Sequence, residues 1–185
     1  MLEKPKILNR KIVAQSRLFK IEALDLEFSN GATRQYERLM RGSGSNGAVL
    51  IVPLLDNETV LLVREYSGGV ERYELGLAKG KIDNGESALQ AANRELKEEV
   101  GYGAHKIQQI SSFSIAPSYM EHMTEIILAQ DLYPEKLPGD EPEELEVVPW
   151  KLDNLTQLVS SGQCTEARSI AALYMVRDYM LQQNG

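Results

Sequence analysis

Three glutamates near the middle of the chain carry the clearest signal for chemistry. Glu95, Glu98 and Glu99 lie close together in the sequence, and at ~100° per residue a helix would place their side chains on one face. Like charges at these spacings cost an isolated helix roughly 0.2–0.5 kcal/mol per pair. Clustered carboxylate oxygens are hard ligands suited to Mg²⁺ or Mn²⁺. The cluster therefore predicts a divalent-metal site.

The same cluster has a simpler interpretation. A row of acidic residues is also typical of a solvated helix face that holds no metal. Arg94 lies four residues before Glu98 and can pair with it, which relieves part of the repulsion in either case. Taken alone, the three glutamates leave both interpretations open.

The helix that must carry these glutamates is predicted over residues 87–100. Ser87 followed by Gln90 is typical of a capping box, and Gly101 stands where a helix-ending glycine is expected. The helical wheel gives a second, apolar stripe that we expect to pack on the core, formed by Leu89, Ala92, Leu96 and Val100.

Predicted strands come before and after this helix along the chain. Two apolar runs, at 47–55 and 59–66, predict buried strands joined by a turn at 56–58, and a short strand follows at 72–75. Further elements are strands near 107–115, 124–133 and 145–149, an acidic loop at 134–146, and helices near 153–160 and 166–182. This order predicts an α/β fold with a mixed sheet.

Residues 18–40 predict a β-hairpin. Asn30 followed by Gly31 is a strong signal for its turn. The apolar alternation slips by one position near residue 23, which predicts a bulge there.

The sequence RGSGSNG at 41–47 predicts a flexible link. We therefore expect two parts. The first is an N-terminal β-hairpin lobe over residues 1–45, and the second is the main domain over residues 46–185.

Composition narrows the class of protein. The net charge of −7 argues against a nucleic-acid polymer as partner, although a bound cation can still balance a small anionic substrate. The single cysteine, Cys164, excludes an internal disulfide and indicates a reducing compartment. The first residues lack the apolar core of a signal peptide, and no apolar run approaches the ~20 residues of a membrane span. We expect a cytoplasmic protein with no membrane partner.

The segment that begins at Gly80 reads GKIDNGESALQAANRELKEEVGY. It resembles the signature of the Nudix hydrolases, called the Nudix box or simply the box, which is G-x5-E-x7-R-E-U-x-E-E-x-G-U, in which U is aliphatic. The last aliphatic position departs from the signature because Tyr102 stands there. The matching positions are Gly80, Glu86, Arg94, Glu95, Leu96, Glu98, Glu99 and Gly101.

Longer stretches resemble a narrower group of Nudix enzymes, the ADP compounds hydrolases. These stretches include LDLEFSNGATRQYER at 24–38, REYSGGVERYELGLAKGKID at 64–83 and AQDLYPEKLPGDEPE at 129–143. The lead-in ELGLAKG differs from the ELPAG of many ADP-ribose hydrolases. The resemblance implies a Nudix fold, in which a mixed sheet lies between helices as an α/β/α sandwich, with a small N-terminal β lobe.

The resemblance also implies roles for the box residues. Mg²⁺ or Mn²⁺ would be held by the carboxylates of Glu95, Glu98 and Glu99 and by the backbone carbonyl of Lys79. Glu98 and Glu99 are also candidate catalytic residues. Arg94 would orient a glutamate, Glu86 would tie the loop to the helix, and Gly80 and Gly101 would permit backbone turns.

A general base is implied on a loop beyond the box. Glu121 is the first candidate, and its alternative interpretation is an exposed loop charge. Glu125, His122 and the acidic residues at 140–144 are the other candidates.

Candidate substrate contacts are Arg64, Tyr66 and Arg38, with Arg72 and Glu74 near the same site. An arginine can fork onto phosphate and a tyrosine can stack on adenine, although both types are also ordinary at strand ends. In ADP-ribose hydrolases the N-terminal lobe exchanges across a homodimer and helps to hold the nucleotide, so the resemblance implies a homodimer.

The implied activity is metal-dependent hydrolysis of the diphosphate bond of ADP-linked compounds such as ADP-ribose, reduced NAD and diadenosine polyphosphates, with release of AMP. Two alternatives stay open. One is a Nudix hydrolase for nucleoside triphosphates or sugar nucleotides. The other is a non-catalytic nucleotide-binding module, although every box glutamate is present.

Overall fold

The computed structural model describes residues 3–40 and 46–183. Its strands are β1 Lys6–Gln15, β2 Lys20–Glu27, β3 Thr33–Leu39, β4 Ala48–Pro53, β5 Thr59–Ser67, β6 Arg72–Gly76, β7 Lys79–Lys81, β8 Tyr102–Ser114, β9 Met123–Pro134 and β10 Glu146–Lys151. Its helices are α1 Ala88–Glu95, which continues as a π-helical segment Leu96–Val100, a 3-10 turn Leu152–Asn154, α2 Leu155–Ser160 and α3 Ala167–Gln183. None of the described helices is long and apolar enough to cross a bilayer.

The strands form three sheets. The N-terminal sheet has the order β1-β2-β3, and the main body holds the sheets β10-β5-β6 and β7-β4-β9-β8. The pairing of β4 with β9 is parallel, whereas β4 pairs with β7 and β8 pairs with β9 in antiparallel fashion. The predicted mixed α/β architecture is confirmed.

Side chains on the central strands alternate between two cores. On β4, Leu50 and Val52 pack with α2 and α3, whereas Val49 and Ile51 pack with α1. The same alternation runs along β5 and β9, because successive strand residues point to opposite faces. The sheets therefore lie between α1 on one side and α3 on the other, and both faces of their central strands are buried.

The first helix begins as the sequence predicts. The Ser87 side chain accepts from the Gln90 amide and the Gln90 side chain accepts from the Ser87 amide, and Gly101 ends the segment in the left-handed region with φ of 80°. The predicted core stripe was wrong at Leu89, which is 38% exposed, and Ala91 is fully buried instead. The helix is rotated on the sheet so that its small residues make the closest contact.

The predicted hairpin at 18–40 is formed by β2 and β3. Its connection is a three-residue loop in which the Gly31 amide donates to the Phe28 carbonyl and the Phe28 amide donates to the Ala32 carbonyl. Gly31 alone of the Asn-Gly pair has a positive φ, of 81°, so the turn is a type I turn followed by a left-handed glycine.

The bulge predicted near residue 23 was wrong. β2 pairs with β3 in unbroken register from Ile21 to Glu27, and the alternation slips there because Glu22 is a buried charged residue. The register shifts lie on the unpredicted strand β1, at Leu8 and Val13. Leu8 follows Ile7, and Val13 follows Ile12. Because two apolar residues stand side by side at each place, the alternation of apolar and polar residues that identifies a strand is lost. The predicted link at 41–47 falls, up to residue 45, outside the described residues.

A buried carboxylate joins β6 to the start of α3. Glu74 is 7% exposed and accepts hydrogen bonds from the Thr165 hydroxyl, the Thr165 amide and the Arg72 guanidinium. Burial opposes ionisation of this carboxyl, but the hydrogen bonds from Thr165 and Arg72 prevail and lower the pKa of Glu74 below 4.5. Arg72 and Glu74, predicted near the substrate, are thus engaged in this connection.

Replacing the carboxylate, as in Glu74→Gln, should destabilise the fold by about 1–2 kcal/mol near pH 7, since three donor groups lose a charged acceptor. Because the folded pKa is lowered, this contribution is present above pH 4.5 and is lost as the pH falls through the folded value. Denaturant unfolding at neutral and acidic pH should show the gap between wild type and variant shrinking in acid. Glu58→Gln, at an 81% exposed side chain, is the matched control and should change stability by under ~0.5 kcal/mol. A gap that widens in acid would contradict this role for Glu74.

Candidate active site

Two of the three clustered glutamates lie on the buried side of the helix. Glu95 is 8% exposed and Glu99 is 5% exposed, whereas the Glu98 side chain is 20% exposed. A solvated acidic face would leave all three open to water. The interpretation of the cluster as an ordinary surface face therefore does not fit the structure.

Gly80 makes room for one of these carboxylates. A Cβ atom built on Gly80 would lie 1.9 Å from the Glu95 carboxyl carbon, far inside van der Waals contact. Gly80 lies in β7 and is not among the residues with positive φ. The expected turn-forming role of Gly80 was therefore wrong: the glycine is needed because the Glu95 carboxylate packs directly against the β7 backbone.

Arg94 connects the box residues to one another. Its Nη1 donates to Glu95 Oε1 at 2.7 Å and to Glu98 Oε2 at 2.9 Å, while its Nε and Nη2 form a fork onto Glu86 at 3.0 Å each. The Nη2 also donates to the Lys81 carbonyl at 3.0 Å. The hydrogen bonds that Arg94 donates to Glu86 raise the pKa of Arg94 above its ordinary value. The expected roles of Arg94 in orienting a glutamate and of Glu86 in tying the loop to the helix both agree with these contacts.

Glu99 faces the backbone of β7 at Lys79, the first residue of that strand. Its Oε2 accepts from the Lys79 amide at 3.2 Å. Burial raises the pKa of Glu99 to about 8, and the neighbouring charges of Glu95 and Glu65 add to the rise, whereas the Lys79 ammonium opposes it. A second positive charge near the carboxylate would reverse this shift, as a bound cation does.

The backbone N–H of Lys79 points towards the Glu99 carboxylate. In an antiparallel ladder the N–H and C=O of one residue point to the same side, and the Lys79 N–H points to Glu99. The Lys79 carbonyl is therefore directed to the same side as the carboxylates. Its side chain forms an ion pair with Glu65, which was not among the predicted site residues.

The donor set suits a hard divalent cation, since it consists of carboxylate oxygens and one backbone carbonyl. Within residues 3–40 and 46–183, no three acidic, histidine or cysteine side chains converge in the manner of a complete metal-ligand set. The reason lies in the contacts already described: Arg94 binds the oxygens of Glu95 and Glu98, and the Lys79 amide binds Glu99. Carboxylate and carbonyl oxygens are the donors that such a cation prefers, so the residues fit the group.

The acidic loop, residues 135–145 between β9 and β10, docks on the π-helical segment. The Lys136 ammonium donates to the Glu98 carbonyl at 2.7 Å, and the Leu137 amide donates to the Lys97 carbonyl at 3.1 Å. Carbonyls at a helix end need such partners. The start of the loop is thereby fixed beside the box glutamates.

One residue of the acidic loop acts on the buried cluster. Burial is the main cause that raises the pKa of Glu95, and the negative charges of Glu98 and Glu141 add to it. Glu141 belongs to the group 140–144 that the sequence offers as alternative bases.

The other candidate bases lie elsewhere. Glu121 pairs with Arg38 at 3.3 Å, and its amide donates to the Leu39 carbonyl, so it joins the main body to the N-terminal sheet. Glu125 lies on β9 and accepts from Gln109 of β8. His122 lines a cavity of about 710 Å³ between the N-terminal sheet and the main body, together with Lys81 and Asp83 of the box loop.

The three predicted substrate contacts have protein partners in the structure. Arg64 pairs with Glu146 at 2.6 Å, and the Tyr66 ring packs edge-on against Tyr73 with centroids 5.5 Å apart. Side chains alternate along β5, so Glu65, which pairs with Lys79, points away from the face that carries Arg64 and Tyr66.

Arg38 contacts two acidic residues. It donates to the buried Glu22 at 2.9 Å and approaches Glu121 at 3.3 Å. Glu22 was missed from the sequence because a lone glutamate within an apolar strand gives no periodic signal.

Comparison with known proteins places this geometry among described families. Residues 5–38 match the profile of the NudE-type Nudix hydrolase N-terminal domain, and residues 44–172 match that of the NUDIX domain. The chain is 52% identical to the ADP compounds hydrolase NudE of Escherichia coli (strain K12), over 98% of this chain and 96% of that protein. It is 29% identical to the ADP-ribose pyrophosphatase of Bacillus subtilis (strain 168), over 91% and 92% of the two chains. A crystal structure of an ADP compounds hydrolase superposes with a TM-score of 0.89 at 50% identity and covers 99% of this chain and 97% of its own.

The contact between Gly80 and Glu95 gives a direct test of the site. In Gly80→Ala the new methyl group would occupy the place of the Glu95 carboxyl, so we expect Mn²⁺ affinity to fall by ~10- to 100-fold. Titration calorimetry measures the affinity, and thermal unfolding checks the fold. Gly76→Ala is the matched control, because a Cβ there would lie 3.6 Å from the Ser169 hydroxyl, an ordinary contact. Unchanged Mn²⁺ affinity in a folded Gly80→Ala protein would show that Glu95 is not a ligand.

Proposed function

The chain belongs to the Nudix hydrolase family, and we propose that it hydrolyses the diphosphate bond of ADP-linked compounds such as ADP-ribose, reduced NAD and diadenosine polyphosphates, releasing AMP. The observation that carries the proposal is the pair of buried carboxylates, Glu95 and Glu99, held against β7 within a segment that contains every glutamate of the Nudix box. The likeness to the E. coli ADP compounds hydrolase over 98% of the chain supports the substrate class.

The proposed cofactor is Mg²⁺ or Mn²⁺. The carboxylates of Glu95, Glu98 and Glu99 and the carbonyl of Lys79 would hold it. When bound, such a cation neutralises the bridging phosphates and lowers the pKa of a coordinated water. A hard-oxygen donor set on a helix beside a strand backbone supports this choice over softer metals.

The protein residues divide the remaining work. Arg94 fixes the rotamers of Glu95 and Glu98 through its Nη1, and Glu86 fixes Arg94 in turn through the fork onto Nε and Nη2. Glu98 and Glu99 are the two proposed catalytic residues of the helix, and the Lys79 amide orients Glu99 as Arg94 orients Glu98.

For the general base we propose two glutamates on loops beyond the box, Glu121 and Glu141. Glu121 would act from the side of the N-terminal sheet, where Arg38 holds it. We favour Glu141, because the acidic loop that carries it docks on the box helix through Lys136 and because its negative charge adds to the rise in the pKa of Glu95. A base must lie within hydrogen-bond reach of the attacking water, and that water would lie beside Glu95.

Arg64, Tyr66 and Arg38 remain the proposed substrate contacts. The Arg64 guanidinium could exchange Glu146 for a substrate phosphate. Tyr66 is 52% exposed and offers a ring on which adenine could stack. Arg38 faces the boundary between the N-terminal sheet and the main body.

We propose a protein that stays in the cytoplasm and acts on small nucleotides without a nucleic-acid polymer or membrane as partner. The net charge of −7 and the single cysteine support this. Cys164 is buried and free.

We further propose that residues 1–45 form a dimerisation lobe and residues 46–185 the catalytic domain. Every residue of β1 is exposed, and its apolar side chains include Leu8 at 56% and Val13 at 45% exposure. An exposed apolar strand at a sheet edge invites pairing or packing, and a second copy of this chain would cover it.

Light scattering at micromolar concentration should therefore give the mass of a homodimer. Leu8→Glu places a charge on the exposed face of β1 and should shift the protein towards monomer, because the charge would have to be buried in the interface. Leu181→Glu, at a 66% exposed leucine on α3, is the matched control and should stay dimeric. A monomeric wild-type protein would exclude the dimer.

A substrate panel tests the proposed activity. With Mg²⁺ or Mn²⁺, we expect ADP-ribose, reduced NAD and a diadenosine polyphosphate to be cleaved within a modest range of kcat/KM, with AMP among the products. Free nucleoside triphosphates should be much poorer substrates, because they lack a second group beyond the diphosphate. Chromatography of the products measures both the rate and the bond cleaved.

Two controls accompany the panel. EDTA should abolish turnover, and Glu99→Gln should lower kcat by ~10²-fold or more while keeping the fold, since the amide keeps the volume and can still accept from Lys79. Full turnover in EDTA would exclude the metal mechanism. A clear preference for a triphosphate or for a sugar nucleotide without adenine would exclude the proposed substrate class within the Nudix family.

A further inference from the structure

We propose that Tyr73 is a positioning residue that fixes the acidic loop, and with it Glu141, beside the box glutamates. Tyr73 is not part of the Nudix box, because it lies on β6, before the box begins. The inference rests on the proposed function for its activity readout. Its structural basis is the hydrogen bond from Tyr73 of β6 to Glu143 of the acidic loop.

The upstream part of the acidic loop is held by the backbone of the box helix and its C-terminal end. The Glu135 amide donates to the Gly101 carbonyl, the Leu137 amide donates to the Lys97 carbonyl, and the Lys136 ammonium donates to the Glu98 carbonyl. Lys97 also pairs with the Glu135 carboxylate at 2.8 Å. These contacts end at Leu137, before the segment that carries Glu141.

The downstream part of the loop is held by Tyr73. The Tyr73 hydroxyl donates to Glu143 Oε1 at 2.7 Å, two residues beyond Glu141. The hydrogen bond to Glu143, and the charge of that carboxylate, raise the pKa of Tyr73 above its ordinary value. The phenol therefore keeps its proton, and can act as the donor, throughout the neutral range.

A neighbouring ring orients this tyrosine. Tyr66 lies directly opposite Tyr73 in the β5–β6 ladder, and the two rings pack at 70° with centroids 5.5 Å apart. Such edge-to-face packing limits ring rotation. The Tyr73 hydroxyl is thus aimed at the loop by the pairing of two strands.

The stretch between the two anchors has little other support. Pro138, Gly139 and Asp140 are exposed, Glu141 is half-buried, and Pro142 and Glu143 are exposed again. Few buried contacts mean that such a segment opens easily. Leu145, the first buried residue downstream, follows the Glu143 tie. The hydrogen bond to Tyr73 therefore decides how the segment that carries Glu141 lies relative to the box helix.

Arg64 does not supply the same restraint. Its partner Glu146 is the first residue of β10 and is already paired with β5 through the strand ladder. Loss of that ion pair would leave the end of the loop in place. Tyr73, in contrast, reaches a residue that belongs to no strand or helix.

The test removes only the hydroxyl group. We expect Tyr73→Phe to lower kcat for ADP-ribose by about tenfold, since a hydrogen bond to a charged acceptor is lost, with little change in KM or in the thermal unfolding midpoint. In a Glu141→Gln background, itself expected to lose ~10²-fold, the same substitution should have no further effect, because it acts through Glu141. Hydrogen exchange should show faster exchange in residues 138–142 of Tyr73→Phe.

Tyr174→Phe is the matched control, since its hydroxyl contacts Thr156 at 3.4 Å on a different face of the protein, and it should leave both kcat and loop exchange unchanged. A Tyr73→Phe protein with unchanged exchange in the loop would overturn the proposal. The proposal would also be overturned if Tyr73→Phe raised KM and lowered kcat by the same factor with and without Glu141→Gln. That result would make Tyr73 a substrate contact. A wild-type protein inactive on every ADP compound would instead refute the proposed function, and the exchange experiment would still decide whether Tyr73 orders the loop.

Discussion

The burial of two carboxylates against the backbone of a strand is the constraint on which the rest of this site depends. Glu95 and Glu99 lose most of their contact with water, and an unpaired buried charge is strongly unfavourable. The structure compensates with one guanidinium and one backbone amide. Arg94 serves Glu95, Glu98 and Glu86 together, and Lys79 donates its amide to Glu99. Burial raises the pKa of Glu99 to about 8, because the backbone amide offsets only part of the desolvation of this carboxylate.

Several features that look independent follow from this constraint. Gly80 cannot carry a side chain because the Glu95 carboxyl fills that space. The helix passes from α-helical to π-helical geometry at Leu96, and the Gly101 amide donates back to the Leu96 carbonyl. Such π segments are frequent at functional sites. Here the segment holds Glu98 and Glu99 and offers the carbonyls of Lys97 and Glu98 to the acidic loop.

The remainder of the molecule divides into rigid and adjustable parts. The sandwich of sheets between α1 and α3 is buried on both faces and presents β7 and α1 to each other in fixed geometry. The N-terminal sheet and the acidic loop carry exposed apolar and acidic residues, respectively, and are joined to the body through a few polar contacts such as Arg38 with Glu121 and Tyr73 with Glu143. The box glutamates thus lie in a fixed core with adjustable surroundings.

The sequence by itself determined the elements whose signals are local. The capping box at Ser87, the left-handed glycine at Gly101 and the strands of the central sheets other than β7 were predicted from caps and periodicity, and the spacing of the box identified the family. Local signals failed where tertiary contacts decide. Leu89 turned to solvent because the small residues of α1 meet the sheet, β1 was hidden by two bulges, and the apparent bulge in β2 was the buried Glu22. Only the tertiary structure set Gly80 against Glu95, paired Lys79 with Glu65, and brought Tyr73 of β6 to Glu143 of the acidic loop. The physical reason is that burial and charge pairing depend on which segments meet in space, whereas caps, turns and periodicity depend on neighbours along the chain.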